Sequence, residues 1–114
     1  MTRIERQLAT AKLHYNNLVH TAETGQRWLS AEKPQIMKVL KSYGLGNADF
    51  TSNSWVEQGV LDDSNYIFKV YVKCETGQLT YKRRENLQKR LQAASDFSVG
   101  YMMENGFVLT KRVI

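Results

Sequence analysis

The chain has 114 residues, 42% hydrophobic, 11% aromatic and 24% charged, with one proline, seven glycines, one cysteine and a formal net charge of +5. That much apolar side chain fills a core, which excludes a disordered tail and a linker-rich or fibrous chain. A single cysteine excludes an intramolecular disulfide, and neither an apolar signal core nor an 18-residue apolar window is present. The expectation is a soluble, cytoplasmic protein folded as one domain over 1–114, helical over 1–44 and mixed β/α over 50–114.

Residues 2–23 read as a helix. Ile4, Leu8, Ala11, Tyr15, Leu18 and Ala22 recur at alternating spacings of four and three, one apolar stripe along a helical face. Thr2 followed by Glu5 has the form of a capping box, and Gly25 that of a helix stop. The stripe suits either the core or a two-chain helical interface, so Ile4, Leu8, Ala11, Tyr15 and Leu18 are candidate interaction residues for a homodimer. Ser30 then reads as the cap of a second helix running to Tyr43, with Pro34 in or near its first turn and Ile36, Met37, Leu40 and Tyr43 facing inward. Gly44 ends it, and residues 44–53 read as a loop.

Beyond that loop the period changes to two. Trp55–Leu61 reads as a strand, Asp62-Asp63-Ser64-Asn65 as a turn, and Tyr66–Cys74 as a strand rich in aromatic and β-branched residues. Glu75-Thr76-Gly77 has the form of a tight turn leading to a third strand over Gln78–Lys82. A helix follows, with Leu87, Leu91 and Ala94 inward. Two endings fit: a long helix to Glu104, favoured by the continuing spacing through Ser98 and Tyr101, or a short one to Ser95 with Asn105-Gly106 as a hairpin turn. Phe107–Val113 is a strand in both. The predicted fold class is α+β: two N-terminal helices, a three-stranded antiparallel meander, a basic C-terminal helix and a final strand.

Charge is distributed unevenly. Residues 1–68 hold seven Lys/Arg and seven Asp/Glu; residues 69–114 hold nine and four. On a wheel at about 100° per residue, Lys82 and Lys89 fall together with Arg83 and Arg90 beside them, bordering the arc of Leu87, Leu91 and Ala94. Such a strip suits phosphate, lysine as a point charge and arginine as a planar fork; a solvated helix face has the same composition. Lys69, Tyr71 and Lys73 share one strand face and could stack a base and hold phosphates, or form an ordinary wet sheet face. A helix packing on that sheet is expected on the opposite side.

The order helix, three-stranded meander, helix over residues 30–104, with Lys82-Arg83-Arg84 opening the last helix, resembles the double-stranded-RNA-binding domain at the level of topology. The glycine-rich approach to that helix is reduced here to Gly77. No catalytic motif occurs, His14 and His20 point to different helix faces away from any metal-ligand spacing, and Cys74 reads as a buried thiol. Neither a cofactor nor a metal is expected. The leading function is a small non-enzymatic nucleic-acid-binding or nucleic-acid-associated accessory protein. The alternative is a protein-interaction module that presents the strip to an acidic protein surface or acts as a dimer, an adaptor or an inhibitor of a nucleic-acid-processing machine.

Overall fold

The structure, a computed structural model, describes residues 2–61, 64–100 and 102–114, with backbone only for residues 51–53. It is α+β: a long N-terminal helix, an antiparallel sheet and a second helix. In chain order the elements are α1 (Arg3–Ser42), β1 (Asp49–Gln58), β2 (Tyr66–Lys73), a 3-10 turn (Thr76–Gln78), α2 (Tyr81–Ala94), β3 (Ser98–Val99) and β4 (Gly106–Arg112).

One helix replaces the two expected. α1 runs unbroken for 40 residues, about 60 Å at 1.5 Å per residue, and the longest dimension of the molecule is 58 Å. Thr2 caps it, its hydroxyl oxygen accepting from the Glu5 amide at 3.2 Å. Gly25 is not a stop, and Ser30 is not a cap. A Cβ at Gly25 would lie 2.1 Å from Cγ of Phe68, so the glycine lets the helix backbone rest on that ring. An interior glycine costs about 1 kcal/mol in propensity, which the contact outweighs. Pro34 is exposed and lies inside the helix rather than in a first turn. Buried Leu29 on one side and Ile36, Val39 and Leu40 on the other hold the helix through it. Gly44 is the true stop: with φ of 76°, it donates to Lys41 while Leu45 donates to Leu40, a Schellman ending.

The sheet order is β1-β2-β4-β3, all antiparallel. β2 is central and alternates as its period requires, with Tyr66, Phe68, Val70 and Val72 buried and Ile67, Lys69 and Tyr71 half-buried on the other face. Val70 pairs with Leu109 and Val72 with Phe107, which carries the inner face onto β4. Leu87 and Leu91 of α2 and Leu29, Ile36 and Leu40 of α1 join these residues in one core, so both helices lie on the same side of the sheet. Phe97, in the turn after α2, packs against Phe68 at 6.3 Å between ring centroids. β1 begins at Asp49, earlier than expected, with a register shift between Asp49 and Asn53.

The third meander strand does not form. Thr76–Gln78 makes the 3-10 turn, and the Thr76 hydroxyl donates to the Met103 carbonyl. Thr80 then caps α2 by accepting from the Arg83 amide. α2 ends at Ala94, so the shorter of the two expected endings holds, and residues 95–100 and 102–104 are not helical. Met103 bridges Gly106 across a turn. Among the described residues the sheet therefore has four strands plus that bridge, and the likeness to the double-stranded-RNA-binding domain fails at the level of topology. The expected contributions of Asp62, Asp63 and Tyr101 lie outside the described residues. Among the described residues no helix is long and apolar enough to cross a membrane.

Gly25→Ala tests the crossing. The substitution adds helix propensity, yet it should destabilise the fold by roughly 1–3 kcal/mol because the new methyl overlaps the Phe68 ring. Urea denaturation measures the sign, and a gain in stability would contradict the packing.

Candidate nucleic-acid interface

α2 fixes the basic strip because Leu87 and Leu91 are fully buried, which turns the adjacent positions outward. Lys82, Arg83, Lys89 and Arg90 are all exposed. The sequence did not indicate what stands beside them. The C-terminus of α1 ends against α2, and Tyr43 lies half-buried between the two arginines. The guanidinium carbons of Arg83 and Arg90 stand 5.3 and 5.5 Å from the Tyr43 ring centroid. Arg90 Nη1 also donates to Ser42 Oγ at 3.3 Å. The ring thus orders two flexible side chains at once, each contact being worth about 0.5–1 kcal/mol at an exposed site. Lys41 adds a charge in the last turn of α1.

Placement along α2 is as informative as spacing. Lys82, Arg83 and Arg84 occupy its opening turn, which holds no acidic residue, and the last turn holds no basic one. The helix dipole favours the reverse arrangement by about 0.3–1 kcal/mol per charge. The strip is therefore placed against local stability, where free amides and side-chain cations make one electropositive end. Lys89 is partly offset by Glu85 at 3.6 Å, both exposed, a pair of small net worth. Lys82 has no ion-pair partner among the described residues. Arg84 turns away, as its wheel position requires. It is half-buried and lines a separate cleft with Tyr81, Gln88, Val99 and Met102.

Lys69, Tyr71 and Lys73 do not join this surface. They lie on the face of the sheet away from both helices. Lys69 Nζ is 2.7 Å from a Glu57 carboxylate oxygen. The hydrogen bond from Lys69, then that from Trp55, holds the Glu57 carboxyl below its usual 4.5. The pairing is complete above pH 4.5 and is lost as pH falls through the lowered value. The Tyr71 hydroxyl donates to the Asn105 carbonyl at 2.9 Å. Lys73 is exposed beside a cleft of about 420 Å³ that Asp49, Cys74, Glu75 and Asn105 also line.

Ile4, Leu8, Ala11 and Tyr15 lie exposed, and Leu18 half-exposed, along the part of α1 that extends beyond the sheet. His14 is tied to the body through Tyr66, with Nδ1 2.8 Å from the hydroxyl. Among the described residues no group of three His, Cys, Asp or Glu is placed to hold a metal. A scan against protein-family models found no match, and searches of the curated proteins and of the solved structures also returned none.

Cys74 is buried, and burial pushes its thiol from 9.0 up to about 11. It should resist a thiol reagent at pH 8 in the folded protein and react on unfolding. Because the folded thiol holds its proton longer, stability should decline as pH rises from 9 towards 11. Rapid modification of folded protein, timed by absorbance, would contradict the burial.

Proposed function

We propose that this chain is a non-enzymatic nucleic-acid-associated protein that contacts phosphates through Lys82, Arg83, Lys89 and Arg90 of α2. The observation that carries the reading is the exposure of Lys82 and Arg83 in an opening turn of α2 that holds no acidic residue, with Arg83 and Arg90 ordered over Tyr43. The dipole of α2 taken by itself favours acidic residues there. An ordered guanidinium loses less freedom on meeting a phosphate than a free one. Exposed Asn86 lies among the four cations, three residues from Arg83 and Lys89 and four from Lys82 and Arg90, and is the one side chain of the strip suited to a base edge; the charges outnumber it, so binding is driven by phosphate and depends steeply on salt. Lys69, Tyr71 and Lys73 fall outside this surface and are not part of the proposal.

Fluorescence anisotropy with labelled single-stranded DNA, duplex DNA and RNA tests it. Four phosphate contacts give a salt slope near −3.6, roughly a 150-fold loss of affinity between about 50 and 200 mM. Lys82→Gln with Lys89→Gln, both at exposed sites, should flatten the slope by about 2. The absence of binding to all three at low salt would refute the reading. Tyr43→Leu keeps every charge and should weaken binding by about threefold through loss of the stacked arginines. Unchanged affinity there would show that Tyr43 merely fills space.

A further inference from the structure

Residues 3–20 of α1 include none that is buried; burial begins at Thr21. Ile4 is 69%, Leu8 65% and Tyr15 65% exposed. With Ala11, Leu18 and Ala22 they lie within about 40° of one line along the helix. A continuous stripe, unlike scattered surface leucines, marks a contact surface. The fold leaves Ile4, Leu8, Ala11 and Tyr15 uncovered and Leu18 and Ala22 half-covered; His14, the side chain that ties this arm to Tyr66, sits about 80° round the helix from Ile4.

The geometry points to a second copy of this chain as the occupant, running antiparallel along the arm. The spacing of four, three, four, three, four reads the same in both directions. One antiparallel register sets Ile4 against Ala22, Leu8 against Leu18 and Ala11 against Tyr15. The bulkiest residues then face the alanines and the two leucines meet, the alternation of large and small that fills a seam. A parallel pair would set Tyr15 against Tyr15 and leave Ala11 and Ala22 facing their own copies across gaps. Arms of some 20 residues give each copy a strip about 30 Å long. Pairing them hides on the order of 1,200 Å² in all, the lower limit of a specific interface. Lys12 flanks the stripe near the two-fold axis, where it meets its own copy. Added salt therefore strengthens this dimer, opposite to its effect on phosphate binding.

Sedimentation equilibrium from about 1 to 500 µM, a range suited to an interface of this size, tests the proposal. Wild-type protein should dimerise reversibly, more tightly at higher salt, while Leu8→Glu and Tyr15→Glu should be monomers whose unfolding midpoints match that of wild-type protein diluted to its monomer, since neither side chain is buried. For orientation, an Ile4→Cys copy mixed with an Ala22→Cys copy should form a disulfide-linked pair that neither forms alone, with buried Cys74 silent. A wild-type monomer throughout would overturn the inference. So would a dimer that survives both charged substitutions, cross-linking within each single-cysteine variant, or a monomer that binds vesicles of anionic phospholipid through the stripe. None of these outcomes depends on whether α2 contacts nucleic acid.

Discussion

At Gly25 the backbone of α1 rests on the ring of Phe68, and the other elements are arranged around that crossing. Phe68 lies on the central strand and also packs on Phe97. Close approach here brings Leu29, Ile36 and Leu40 down onto the same face of the sheet that receives Leu87 and Leu91. The 40-residue helix is therefore held mainly by its C-terminal half, with Thr21 buried and the His14–Tyr66 contact as the ties further back. The turns before His14 are carried past that contact as a rigid extension, since helix hydrogen bonds need no tertiary partner once the helix is anchored and capped.

Anchoring α1 in this way also decides where it ends. The Schellman turn at Tyr43 and Gly44 falls beside α2, and the carbonyl end of α1 meets the arginines of the strip. The negative end of one helix dipole offsets cations that the positive end of the other disfavours. Two roles are compatible in Arg83 and Arg90: they dock α2 against Tyr43, and they remain exposed enough to meet an anion. Lys82 and Lys89 have no such docking role, which is why the proposed contacts separate into structural and purely electrostatic pairs.

The sequence makes much of this legible where the signal is local. The alternation from Tyr66 to Val72, the cap at Thr2, the stop at Gly44 and the inward Leu87 and Leu91 all follow from short-range rules. Failures arose where tertiary contact overrode them. Gly25 and Pro34 are breakers by propensity, but one serves a ring contact and the other is held by flanking burial. Gln78–Lys82 has strand-like character, yet Thr76 bonds back to Met103 and Thr80 captures an amide, which starts a helix instead. The spacing that continued through Ser98 misled, because Ser98 is exposed and its neighbour Val99 faces the core from a strand. For the site, the wheel placed the strip correctly relative to the buried leucines and kept Lys69 and Lys73 on the far side of the sheet. Tyr43 could not be placed with it, since its partners are 40 and 47 residues away in the chain.

Amide chemical-shift mapping on titration with a short oligonucleotide tests the location of the proposed surface most directly. The account predicts perturbations concentrated at Ser42, Tyr43 and Lys82–Arg90, fading as salt is added. Perturbations centred instead on Trp55, Lys69 and Tyr71 of the open sheet face, with α2 unchanged, would contradict it.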